Sequence, residues 1–207
     1  MTLQAVVVED HQLIARAMTE TLNRKPEIEV VACFNNASGL QEFVVRERPD
    51  VVMLDLDMPD MSGFEFIRDN APCSFDPAVI VCTGFQHPLF VHFCLQNQVY
   101  AYVTKDAGLD SLAALVRDVA SPRPQTRSSD RFPIDQARCD RDLPLLTARE
   151  LDIVVRIYRG ESFKDIAQEQ GVTIPAIQYL WDNACKKCGV TSTQEMIRFM
   201  HELSELG

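Results

Sequence analysis

DVVMLDLDMPDMSGFE, residues 50–65, decides the fold of this 207-residue chain. Four consecutive apolar residues stop at Asp55, and a turn bearing proline and glycine follows. A short run apolar at every position reads as a strand buried on both faces, the situation in a parallel sheet covered by helices. The same kind of run recurs as AVVV (5–8), IEVVAC (28–33), AVIVC (78–82) and YAYVT (100–104). Between the runs lie stretches of helical period such as His11–Arg24 and Ser38–Arg48. Five strands alternating with five helices predict an α/β unit with a doubly wound five-stranded parallel sheet, whose binding groups gather at the carboxyl ends of the strands.

Those ends carry the chemistry. Glu9 and Asp10 follow the first run, Asp55 the third, Thr83 the fourth and Lys105 the fifth. Taken singly, each is ordinary punctuation after a buried strand. Taken in order, three carboxylates, a hydroxyl and an ammonium describe one site that binds a hard divalent cation and accepts a phosphoryl group. Mg²⁺ takes oxygen ligands and keeps several waters, so two or three carboxylates suffice to hold it. Asp55 is the better nucleophile because it ends the central strand just before an exposed turn.

Composition sets the frame. With 46% hydrophobic residues the chain is globular and long enough for two modest domains. No apolar run reaches the length of a spanning helix, and the N-terminus enters a strand at once, so a cytoplasmic location without membrane attachment is expected. The seven cysteines are odd in number and lack paired spacing, and read as reduced thiols. Residues 1–120 carry 8 Lys/Arg against 17 Asp/Glu, and residues 143–207 carry 7 against 9. A nucleic-acid-binding domain usually has a basic surplus, and neither part has one.

Three segments follow: a phosphoacceptor unit over 1–120, a proline-containing polar linker over 121–142, and an all-α unit of four short helices over 143–207. Thr147 and Glu150 form a capping box opening ARELDIVVRIY, which Gly160 ends. Helices over 162–170 and 173–188, joined by a Gly-Val-Thr turn, suggest helix-turn-helix, and a last helix covers 191–202. Cys185 and Cys188 have no second ligand pair nearby and are expected in the core rather than on zinc.

The runs VVVEDH, DVVMLDLDMPDMSGFE and AYVTKDAG, with the Thr83-Gly84 pair, resemble the flavodoxin-like receiver domain of bacterial two-component response regulators. The resemblance covers residues 4–119. It implies that Asp55 accepts phosphate from a partner histidine kinase, and that Glu9, Asp10, Asp55 and the backbone carbonyl of Asp57 bind Mg²⁺. It further implies that Thr83 and Tyr102 are a switch pair, the Tyr102 ring turning inward as Thr83 moves toward the phosphate. The positions that tune phosphate lifetime hold Asp57 and Phe85. No formal charge occurs between Asp76 and Lys105, and Phe90 and Phe93 fall partly off the apolar side of the 88–97 helix. They offer an interaction surface or, alternatively, pack into a wider core.

Residues 145–202 resemble the LuxR-type helix-turn-helix of the NarL/FixJ subfamily through the LTxRE opening, the Gly160 turn, the KDIA core and KKxGV. The resemblance places DNA-facing positions at Gln178, Tyr179 and Asp182, with Lys164, Lys186 and Lys187 as phosphate contacts. Asp182 is repulsive to a phosphate, although it can accept from a cytosine amino group. Two readings stay open: a DNA-binding output that dimerises on paired half-sites, or a retained scaffold whose surface, with Tyr179 and Trp181, binds protein. The expected whole is a transcription regulator that turns over no separate substrate and is a homodimer when phosphorylated. Phosphorylation is expected to weaken packing between the two units or to promote receiver pairing, freeing the 173–187 helix.

Overall fold

Strands β1 (Leu3–Val8), β2 (Ile28–Phe34), β3 (Val51–Leu54), β4 (Ala78–Thr83) and β5 (Ala101–Thr104) alternate with helices α1 (Gln12–Asn23), α2 (Leu40–Glu47), α3 (Ser62–Asp69), α4 (Pro88–Gln96) and α5 (Leu109–Asp118). The computed structural model describes residues 2–58, 62–69, 77–84, 87–120, 131–132 and 143–205. All but two residues of the expected linker lie outside these, as do Phe85, Cys73 and Cys139. The strands pair in parallel in the order β2-β1-β3-β4-β5, the doubly wound arrangement expected. Register aligns the strand ends: Val8 lies beside Leu54, Leu54 beside Val81 and Thr83 beside Thr104. Residues just past these ends therefore meet at one edge.

Every residue of β3 and β4 is buried, and so are the last four of β1, because helices cover both faces. On α1 the buried residues Ala15, Met18 and Leu22 form one stripe, spaced so that they lie on a single helical face. Helix α4 is different: Pro88 through Leu95 are all buried, with Phe90 at 2% and Phe93 at 7% exposure. Of the two readings open for these aromatics, packing into a wider core is the one that holds. Phe64 of α3 packs on both rings, at 5.4 and 5.5 Å between centroids, and the second half of the chain covers the rest.

That half folds as α6 (Ala148–Tyr158), α7 (Phe163–Glu169), α8 (Ile174–Cys188) and α9 (Thr193–Glu205). The capping box is formed as expected: Thr147 N donates to Glu150 Oε2 at 2.7 Å and Glu150 N to Thr147 Oγ1 at 3.3 Å. Gly189, at φ 69°, ends α8 in the left-handed region that glycine enters without strain. Trp181, read from sequence as surface, is a core residue with 6% exposure. It stands edge-on to Phe163 at 5.7 Å, and Ile177, Ala184 and Cys185 share its buried face. Cys188 is half-buried, and burial pushes its thiol up to about 12.

One apolar cluster runs from the sheet face under α3 and α4 into Leu146, Leu151, Val154 and Met200 of the helical unit, so the two units share a core. Among the described residues no helix is long and apolar enough to cross a membrane.

Candidate functional site

The shared strand edge brings Glu9, Asp10, Asp55, Thr83 and Lys105 together, as their positions in sequence predict. Asp55 sits one residue past β3 with 1% exposure, Glu9 one past β1 with 2%, and Thr83 at the end of β4 with none. Lys105 opens a 3₁₀ turn directly after β5. Its Nζ lies 2.8 Å from Asp55 Oδ2 and 2.7 Å from Glu9 Oε2, bridging the two buried carboxylates. The other Asp55 oxygen, Oδ1, accepts a hydrogen bond from Asp57 N at 2.8 Å, which fixes the carboxylate plane.

Burial raises the pKa of Asp55, against the opposing pull of the Lys105 and Asp57 hydrogen bonds. Burial alone would lower the pKa of Lys105, but its bonds to Asp55 and Glu9 carry it above the ordinary value and keep it charged. The third acid, Asp10, is partly exposed, and its Oδ1 lies 2.7 Å from His11 Nδ1. Sequence reading passed over His11. Its backbone N–H donates to Glu9 Oε1 at 3.1 Å, and Asp10 raises its pKa at the rim of the site. Side-chain donor atoms of Glu9, Asp10, His11 and Asp55 lie within 4.8 Å of one another.

The charge balance tests the fit to a cation. Three carboxylates face one ammonium, which leaves two negative charges at a largely buried edge where uncompensated charge is costly. An oxygen-rich, doubly negative cluster suits a hard dication such as Mg²⁺.

A protein-family model for the response regulator receiver domain matches residues 5–117. The chain belongs to the response regulator family. Among curated relatives, it is 24% identical over 204 residues to the transcriptional regulatory protein LiaR of Bacillus subtilis, covering 96% of this chain and 97% of that one. It is 23% identical over 215 residues to the transcriptional regulatory protein DegU of Brevibacillus brevis, covering 94% and 91%. Among solved structures, the RcsB response regulator of Salmonella typhimurium shares the fold with a TM-score of 0.73 at 17% identity, covering 98% of each chain. RcsB of Salmonella enterica serovar Typhimurium bound to promoter rprA gives 0.71 at 18% identity, over 97% of this chain and 99% of that one. The paired architecture is that of NarL/FixJ-type response regulators.

In this response regulator Tyr102, the tyrosine expected to act as a switch, lies in the core. Tyr102 is 2% exposed, and burial raises its hydroxyl pKa well above the usual range. Thr83 faces a cavity of about 220 Å³ between the two units, walled by Met58, Phe64 and Phe90 on one side and Asp152, Arg156 and Arg159 on the other. The interface is held by polar contacts as well as by the shared core. His87 Nε2 lies 3.1 Å from the Met200 carbonyl, while its Nδ1 accepts from Leu89 N at 3.2 Å. Together these bonds select the neutral tautomer with hydrogen on Nε2, and burial lowers the pKa accordingly. Arg149 Nε reaches Glu65 Oε1 at 3.2 Å, and Arg159 pairs with Asp57.

The candidate reading surface lies elsewhere. Gln178, Tyr179, Asp182, Lys164 and Lys186 are exposed, Tyr179 at 68%. Lys187 is exposed as well, with its Nζ 2.6 Å from Glu150 Oε2 at the α6 cap. The receiver docks mainly through α3 on α6, with the His87 contact to α9, and leaves the outward positions of α8 in solvent. The outward positions of α8 are thus already exposed with the receiver docked in this arrangement.

Proposed function

We propose that this response regulator is phosphorylated on Asp55 by a histidine kinase and acts as a DNA-binding transcription regulator. The observation that carries the reading is the Lys105 bridge between Asp55 and Glu9 at the common strand edge. In this scheme an Asp55 oxygen attacks the phosphorus of a phosphohistidine, the P–N bond breaks as the P–O bond forms, and the imidazole nitrogen keeps the electron pair. Lys105 and Thr83 offer hydrogen-bond donors to the phosphoryl oxygens. Glu9, Asp10, Asp55 and the Asp57 carbonyl are the residues that would hold Mg²⁺, which when bound neutralises charge on the transferring group. The protein works in the cytoplasm and turns over no separate substrate. Dimerisation on activation would bring two copies of α8 to paired half-sites.

The exposed face of the output domain favours a second reading, protein binding. Val172, Ile174 and Tyr179 are exposed apolar groups at and just before α8, Asp182 adds negative charge, and Lys187 is engaged internally. Selection of genomic DNA fragments by the purified protein separates the two. It is run with and without beryllofluoride and Mg²⁺ and across a salt series. A shared enriched sequence with steep salt dependence supports DNA binding through Gln178, Tyr179 and Asp182, whereas no enrichment in either state favours a protein partner.

A further inference from the structure

Asp57 belongs to the phosphoryl site through its main chain, since its N–H fixes Asp55 Oδ1. Its side chain belongs to a different contact. The Asp57 carboxylate pairs with Arg159, which lies 102 residues further along the chain in the output domain. Arg159 is held in place by its position. It caps the C-terminus of α6, its N–H donates to Val155 O at 2.9 Å, and Gly160 turns the chain away at φ 93°. Helix α6 is pinned at its other end by Arg149 on Glu65. The helix thus lies against the receiver with one cation at each end, and only the Arg159 end reaches the site.

The electrostatic consequence follows from the charge count. Glu9, Asp10 and Asp55 face Lys105 within the site, while Asp57 adds a fourth carboxylate at its rim. The Arg159 guanidinium neutralises that rim. A dication entering the same negative field is repelled by Arg159 and screens Asp57 from it.

We propose that Arg159 is a positioning residue of the phosphoryl site supplied by the output domain: it holds the Asp57 carboxylate and opposes metal loading, so that cation binding and the release of α6 from the receiver are linked. Linkage makes the effect reciprocal, since whatever factor docking takes from metal affinity, metal takes from docking. The proposal rests on the metal-site reading above. It gives the receiver a route to the output domain that does not pass through α8.

The test is calorimetric titration of Mg²⁺ into the full-length protein and its Arg159→Gln, Arg159→Lys and Arg149→Gln variants, at low and high salt. Arg159→Gln should tighten Mg²⁺ binding roughly 3- to 10-fold at low salt, with the gain shrinking as salt rises. Arg159→Lys, which keeps the charge, should stay within about twofold of the parent, and Arg149→Gln should fall well short of Arg159→Gln. Unchanged affinity in Arg159→Gln with metal binding intact overturns this proposal alone. An equal gain in Arg149→Gln also overturns it, because docking in general would then be the cause. Failure of the parent protein to bind Mg²⁺ overturns the metal-site reading and this proposal with it.

Discussion

Buried polar groups do opposite jobs in the two halves of this molecule. In the receiver, Glu9, Asp55 and Thr83 are each exposed by 2% or less and are the proposed chemistry. In the output domain, Glu150, Asp152 and Arg156 are also buried, though less completely, and serve the scaffold. Glu150 caps α6 and takes Lys187, and Arg156 gathers Glu161 and Glu169, while the candidate reading groups stand in solvent. Phosphoryl transfer needs preorganised charge shielded from water, whereas reading a surface needs side chains outside the core. The sharpest way to break the contrast is to remove the buried nucleophile. Asp55→Asn should abolish phosphate uptake from acetyl phosphate, a loss of at least about 100-fold measured by mobility shift on a phosphate-binding gel. Uptake equal to the parent would move the acceptor to another carboxylate.

On the output side the corresponding deep residue is structural. Trp181→Ala should leave a cavity beside Phe163 and Ile177 and cost roughly 3–5 kcal/mol, seen in denaturant unfolding of the output domain's helices. A cost under about 1 kcal/mol would return Trp181 to the surface role that the sequence suggested. The surface readings of Trp181 and of the α4 aromatics fail for different reasons. Ile177, Trp181, Ala184 and Cys185 recur at helical spacing, so the buried stripe of α8 was legible from period alone, but Trp181 was placed by comparison with smaller residues common there. Phe90 and Phe93 sit on a helix that is apolar all round, which implies burial, yet much of their cover comes from α6, more than fifty residues away in sequence. The receiver site was legible because parallel pairing carries every strand end to one edge, making order in sequence equivalent to position in space. Nothing local marks Arg159 or His11, whose roles arise only from packing and from the turn geometry after β1.

Asp152 offers a smaller test of the claim that buried charge in the output domain belongs to the scaffold. Burial raises its pKa to about 7, against the opposing effects of Arg156 and the Gln170 amide 3.1 Å away. The unfolded value is near 4, so between about pH 4 and 7 the folded protein binds the extra proton. This contribution to stability therefore falls as pH rises through that window, and the full penalty applies above it. Asp152→Asn keeps the acceptor for Gln170 and removes the titration. The variant should be more stable than the parent by roughly 1–3 kcal/mol at pH 8 and nearly equal to it at pH 4.5, measured by urea unfolding. An Asn variant less stable than the parent at pH 8 would mean that the charge is needed, as part of the Arg156 ion cluster or of the cavity facing Thr83.

The smallest effect probes the exposed pole. Asp182 projects from α8 beside Tyr179, where a carboxylate repels the phosphate backbone. If that face meets DNA, Asp182→Lys converts a repulsion into a phosphate contact and should steepen the dependence of log affinity on log salt by about 0.9. Because a phosphate contact carries no base information, the gain should be nearly equal for specific and random duplexes, and discrimination should not improve. Lys186→Ala, on the last turn of the same helix, should shift the slope the other way by a similar amount. Slopes unchanged by both substitutions would place α8 off the nucleic acid, and the exposed Val172, Ile174 and Tyr179 would then mark a protein-binding surface. The receiver chemistry would be untouched by that result, because the site at the strand edge and the outward face of α8 share no residue.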